Sequence, residues 1–180
     1  MILADAAMAP TSAQSPDSVA AKAVQDQNTN VRPANMLRLM RFRSVAAMFW
    51  VRRAVADAAR RLQAPTCQLI FKDFTDRSGN VLSANLSRLG MTPAEFVERG
   101  LLFVDASDER PCLIGSRGAF TSPGSRLIFV CASRLVPMNS PPRSQIELLI
   151  IHEALHALGL GENPPTSARI TSQVFLRCGS

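Results

Sequence analysis

Residues 146–158, with the sequence IELLIIHEALHAL, are the feature that most constrains what this chain can fold into. Two prolines at 141–142 break the chain before this stretch, and the spacing of Ser144 and Glu147 matches a capping box. A helix is therefore expected to start there. Gly159 supplies a helix stop of the usual kind. The pattern predicts one helix that is apolar enough to be buried and around which the domain has to be built.

The same helix carries the only two histidines of the chain, His152 and His156. Positions four apart lie on one helical face, one turn from each other, so both imidazoles can reach a single ion. Glu153 lies about 100° around the helix, where it can accept a proton from metal-bound water without ligating the metal. The sequence thus predicts a Zn²⁺ cofactor held by His152 and His156, with Glu153 as the general base.

The motif continues through Gly159 to Glu162, giving HExxHxxGxxE over residues 152–162. This pattern resembles the extended zinc-binding motif of the metzincins, a group of zincin-type zinc metallopeptidases. The resemblance implies a sharp turn at Gly159, Glu162 as the third metal ligand, and hydrolysis of a peptide or protein substrate. The chain departs from that group in two ways. Glutamate stands where most members have histidine, and no methionine occurs among the 18 residues after Glu162.

The remaining patterns predict an α+β fold, a compact zincin-like domain in which a small sheet with an antiparallel hairpin packs on the active-site helix. Apolar spacing and turn residues place the other elements. The expected elements are a helix over 35–63, strands over 67–71 and 101–104, short helices over 81–89 and from Thr92 to Gly100, a hairpin of 119–121 with 127–131, and a last helix capped by Thr166 or Ser167.

Residues 1–33 are rich in Ala, Ser, Gln and Pro and are expected to form a poorly ordered tail, because they can bury little apolar surface. Residues 34–180 would then form the zincin-like domain. No stretch has the roughly 20 apolar residues that a membrane helix needs. The N-terminus lacks a simple signal peptide, although residues 36–58 faintly resemble one.

Four cysteines are present, and none forms a CxxC pair. They can make two disulfides or remain buried thiols. Cys112 and Cys131 flank the predicted hairpin, and Cys178 could join the last helix to Cys67. Disulfides would favour a secreted or periplasmic location over the cytoplasm.

Two alternative functions remain open from the sequence. The first follows from the net charge of +6, which arginine carries almost entirely. A basic module could bind nucleic acid or an anionic membrane through residues 38–61, but the arginines are scattered and no nucleic-acid motif accompanies them. A non-catalytic zinc protein with four protein ligands is the other alternative to peptide hydrolysis. Arg126 and Arg169 are the candidates for stabilising an oxyanion if the chain is an enzyme.

Overall fold

A computed structural model of the chain describes residues 40–115, 117–135 and 143–179. The tail predicted over 1–33 lies outside the described residues, as do the first residues of the predicted domain. Among the residues that are described, no helix is both long and apolar enough to cross a membrane.

Helices dominate the fold, and a small sheet accompanies them. In chain order the elements are β1 (Met40–Arg41), α1 (Val45–Arg61), α2 (Pro65–Gln68), α3 (Ile70–Asp73), α4 (Leu82–Arg88), α5 (Pro93–Glu95) continued by a π-helical turn (Phe96–Gly100), β2 (Leu102–Asp105), α6 (Arg110–Ile114), β3 (Ala119–Phe120), β4 (Leu127–Val130), α7 (Ala132–Leu135), α8 (Arg143–Ala157) and α9 (Ser167–Cys178).

The four strands form one mixed sheet in the order β1-β2-β4-β3. The strands β3 and β4 pair antiparallel, which confirms the predicted hairpin. Its turn has Pro123 and Gly124 at the centre, and the Ser125 amide donates to the Ser122 carbonyl at 2.9 Å. The strand β2 pairs in parallel with both β1 and β4, a topology that the sequence pattern did not indicate. The predicted α+β class is confirmed.

Helix α8 carries the two histidines and packs against α1, α9 and the strands β3 and β4. Almost all of its side chains from Ile146 onward are buried, so it has no solvent-facing stripe. The predicted capping box is wrong, because Ser144 already lies inside the helix. Glu147 instead forms an ion pair with Arg61 of α1. The Arg61 guanidinium also donates to the carbonyl of Cys178 at 2.6 Å, which joins α1, α8 and α9.

The helix predicted over 35–63 is shorter and faces another way than its apolar spacing suggested. It begins after Ser44, whose side chain accepts a hydrogen bond from the Ala47 amide. Ala46 and Phe49, expected on its buried face, are exposed. The face in the core consists of small residues, which let α8 approach closely. These residues are Ala47, Val51, Ala54, Val55, Ala58 and Ala59.

The strand predicted over 67–71 is also wrong, because this stretch forms the short helices α2 and α3. Pro65 occupies the first turn of α2, where its missing N–H costs nothing. Ile70 and Phe71 are both fully buried, so they do not alternate between two faces as a half-exposed strand would. An apolar run this short does not distinguish a strand from a buried helix.

Several local signals were predicted correctly. Thr92 and Glu95 form the expected capping box. Thr166 caps α9, and the buried positions Ile170 and Val174 face the core. The sequence left open whether the cysteines form disulfides or stay buried thiols, and the structure pairs all four, Cys67 with Cys178 and Cys112 with Cys131. Such cross-links persist in oxidising compartments, and the location of the protein stays a prediction.

Candidate metal centre

The three predicted metal ligands converge on one point. The Nε2 atoms of His152 and His156 lie 3.1 Å apart, and Oε1 of Glu162 lies 3.5 Å from Nε2 of His156. One ligand atom from each residue lies within 4.8 Å of the others. Ligands at about 2.0–2.2 Å from a tetrahedral zinc are separated by roughly 3.3–3.5 Å. The histidine pair and the His156–Glu162 pair are both close to that spacing.

Hydrogen bonds hold both rings in the orientation that a metal requires. Nδ1 of His156 donates to the carbonyl oxygen of Leu160 at 2.8 Å. Nδ1 of His152 lies 3.1 Å from Oγ1 of Thr171, on α9. A ring that donates from Nδ1 leaves the Nε2 lone pair free, and this is the tautomer of a metal-binding histidine. Burial, and then the charge of His156, lower the pKa of His152 to about 4, so its ring is neutral at physiological pH.

The Glu153 side chain is buried beside the two rings, and its Oε2 atom has no hydrogen-bond partner within the described part of the chain. An orphaned buried carboxylate oxygen is costly unless a ligand or water satisfies it. Burial and the charge of Glu162 raise the pKa of Glu153 to about 8, although Arg117 acts in the opposite direction. A nearby cation would favour the ionised form. The donor set and the orphaned oxygen together fit a divalent metal with a bound water.

A turn at Gly159 brings the third ligand back to the helix. Gly159 has a φ of +108°, a value that other residues rarely adopt. Its amide donates to the carbonyl of His156, and the amide of Leu160 donates to that of Leu155. A Cβ added at Gly159 would lie 3.1 Å from the Cβ of Asp76. The glycine predicted from the motif is therefore needed both for the backbone conformation and for the close approach of a neighbouring loop.

The hairpin forms one wall of a cleft that contains the centre. The amide of Gly124 donates to the carbonyl of His156 at 2.9 Å. At the other end of β3, a Cβ added to Gly118 would lie 2.7 Å from a methyl carbon of Leu149. Strand β3 thus runs alongside α8, from Leu149 towards His156. The cleft between them has a volume of about 420 Å³, and His152, His156, Glu153 and Glu162 all line it.

Strand β3 lies at an edge of the sheet among the described strands. The Cys131 amide donates to the Gly118 carbonyl, so these residues form a hydrogen-bonded pair. Pairs alternate along an antiparallel ladder, which makes Ala119 and Val130 a non-hydrogen-bonded pair. The N–H and C=O of Ala119 consequently point away from β4. No described strand occupies that side.

Three residues of the centre were missed by reasoning from sequence. Arg77, Arg117 and Thr171 line the cleft, whereas Arg126 and Arg169, the expected oxyanion candidates, do not. Arg117 lies two residues before the predicted hairpin, and this position is the one signal that could have suggested it. Arg77 and Thr171 reach the centre from distant segments of the chain, so no local pattern identifies them.

No protein-family model matches the chain, and neither curated proteins nor solved structures match it significantly. Function must therefore be argued from the residues and their geometry. The resemblance to the metzincin motif covers residues 152–162 alone, and it assigns no role to the rest of the cleft.

Proposed function

We propose that this chain is a zinc-dependent peptide hydrolase of zincin-like fold, in which His152, His156 and Glu162 hold the metal and Glu153 is the general base. The observation that carries the proposal is the position of the orphaned Glu153 oxygen. It is buried in the same cleft in which two histidine Nε2 atoms and a carboxylate oxygen converge. The strand alongside the metal helix supports the zincin-like arrangement.

When bound, zinc would lower the pKa of a water molecule to about 7 and polarise the carbonyl of the substrate. Glu153 would take a proton from the attacking water as the water oxygen bonds to the substrate carbonyl carbon, and would deliver that proton to the leaving amine as the C–N bond breaks. Because Glu153 is buried, few competing water molecules reach it. The Leu160 carbonyl and the Thr171 hydroxyl hold the two histidine rings, so the ligands need little reorganisation.

A peptide is the substrate class that the cleft fits best. No described strand pairs with the outer edge of β3, so an extended chain could pair there with the backbone groups of Ala119, and main-chain hydrogen bonds of this kind bind peptides without regard to sequence. A second cavity of about 480 Å³ adjoins the cleft beside His152 and Leu149. Ile146, Val174 and Phe175 line it, and they suit an apolar side chain of the substrate.

The decisive experiment compares Glu153→Gln with Glu162→Gln and the wild type, each assayed for zinc content and for cleavage of a peptide library. Glu153→Gln should retain about one zinc per chain and lose hydrolysis by roughly 10²–10⁴-fold, because the base is gone while the ligands remain. Glu162→Gln should lose metal and activity together. Full activity in zinc-loaded Glu153→Gln would contradict the mechanism.

The non-catalytic zinc protein remains the second candidate. A structural zinc site normally has four protein ligands. In the described ranges, His152, His156 and Glu162 form a group of only three suitable side chains, and all cysteines are in disulfides. Three protein ligands leave a fourth coordination position for water, and this favours a catalytic over a structural zinc site. Inhibition by a hydroxamate would support that open position, and a metal with no exchangeable water would support the structural alternative.

The basic interaction module gains no support from the structure. Of the arginines in the predicted basic helix, Arg53 and Arg60 pair with Asp57, and Arg61 pairs with Glu147. These pairs offset part of the positive charge that such a module would present. The interaction module would be supported if the chain bound nucleic acid, if the affinity fell with rising salt, and if binding persisted after the metal was removed.

A further inference from the structure

Two arginines project into the cleft without an ionic partner in the described part of the chain. Arg77 and Arg117 are both exposed, and both line the cleft. The Nε atom of Arg77 would lie 3.5 Å from a Cβ placed on Gly161, the residue before Glu162. Arg117 is near enough to Glu153 for its charge to act on that carboxyl. Neither guanidinium makes a hydrogen bond or ion pair with another described residue.

The two guanidinium groups leave the cleft with a surplus of positive charge. Among the described residues that line it, Glu153 and Glu162 carry the carboxylates. A divalent ion at the centre offsets those two charges, and the charges of Arg77 and Arg117 then remain. Guanidinium groups bind carboxylates through paired, charge-assisted hydrogen bonds. Such a cleft favours an anionic segment of peptide.

The arginines stand at opposite ends of the cleft. Arg117 precedes Gly118, at the end of β3 that passes over Leu149. Arg77 packs on Gly161, beyond the end of α8 that carries His156. A peptide extended along β3 therefore passes one arginine on each side of the metal centre. Each arginine would then face the residues on one side of the bond to be cleaved.

We infer that Arg77 and Arg117 determine substrate specificity by binding acidic side chains on either side of the scissile bond. The inference rests on the proposed function, because a scissile bond exists only if the chain hydrolyses peptides. It adds the class of substrate, a peptide with acidic side chains. The two arginines select and position the peptide, while Glu153 transfers the proton from water to the leaving amine.

Binding can be measured without catalysis in zinc-loaded Glu153→Gln. Fluorescence anisotropy would compare four matched peptides that carry Glu before the central bond, after it, on both sides, or Gln at both places. We expect each Glu to tighten binding by about fivefold, and less at high salt. Arg77→Gln should abolish the preference on one side and Arg117→Gln that on the other. Arg126→Gln, an arginine outside the cleft, should change neither.

Equal binding of all four peptides, or preferences that survive both arginine substitutions, would overturn the inference. Circular dichroism would verify that these exposed substitutions leave the fold intact. Cleavage of the four peptides by the wild type separates this inference from the proposed function. Zinc-dependent cleavage with no preference for acidic peptides would contradict the role of the arginines but not the proposed hydrolysis. Selective binding with no cleavage of any peptide supports the arginines and contradicts hydrolysis.

Discussion

Asn85 donates a 2.7 Å hydrogen bond from its side-chain amide to the carbonyl oxygen of Leu158, the residue before Gly159. The same amide donates at 3.1 Å to the carboxylate of Asp76. A loop and a helix more than 70 residues earlier in the chain therefore brace the end of the metal helix. This is the point at which the backbone turns back to deliver Glu162.

The first prediction concerns Asp76 and acid. Hydrogen bonds from Asn85, Asn80 and the amide of Ser78 lower the pKa of Asp76 from its ordinary 3.8 to about 2. A depressed pKa stabilises the fold above the unfolded value, and this contribution disappears as the pH falls through the folded value. Asp76→Asn should therefore be less stable than the wild type at pH 6, and the difference should vanish between pH 4 and 2. Urea unfolding at several pH values would measure it, and a constant difference would contradict it.

The second prediction concerns Gly159. Its positive φ and the nearby Cβ of Asp76 both oppose a side chain. Gly159→Ala should lower the free energy of unfolding by about 1–3 kcal/mol and weaken zinc binding, because Glu162 follows this turn. Gly90→Ala is the matched control, since Gly90 also has a positive φ but its Cβ would meet nothing within 4 Å. The idea fails if Gly159→Ala binds zinc as tightly as Gly90→Ala does.

The third prediction concerns Thr171 and the orientation of His152. Thr171→Val keeps the shape of the side chain and removes the hydroxyl that lies 3.1 Å from Nδ1 of His152. Loss of such a partner typically weakens metal binding by about 10- to 100-fold. Competition with a chelator would measure the zinc affinity. Ser167→Ala, also on α9 and also lining the cleft, should bind zinc normally. Identical affinities in the two variants would contradict this role for Thr171.

The fourth prediction compares the two disulfides. The Cys67–Cys178 bridge joins residues 111 apart and holds α9, whereas the Cys112–Cys131 bridge joins residues 19 apart. Loop-closure entropy predicts that removing the first costs about 5 kcal/mol of unfolding free energy and removing the second about 3 kcal/mol. Only the first double Cys→Ala variant should also lose zinc affinity, because α9 carries Thr171. Denaturant unfolding and zinc titration of both variants test this, and equal zinc affinity would count against it.

The elements that sequence predicted correctly depend on neighbours in the chain. The helix of His152 and His156, the turn at Gly159, the capping box of Thr92 and the hairpin around Gly124 each follow from residue types within a few positions. The capping box, the turn at Gly159 and the hairpin turn are set locally, by a cap and by glycine, whereas the helix of His152 and His156 follows from its apolar run and not from the predicted cap at Ser144. The convergence of His152 and His156 follows from helix geometry alone.

Tertiary packing decided the rest. It made residues 67–71 helical rather than extended, and it turned the small residues of α1 towards the core. It also joined His152 to Thr171, buried Oε2 of Glu153 where no described residue offers it a hydrogen bond, and placed Arg77 in the cleft. Such contacts join segments far apart in the chain. Their free energies depend on which surfaces are buried together, and no pattern of nearby residues encodes that choice.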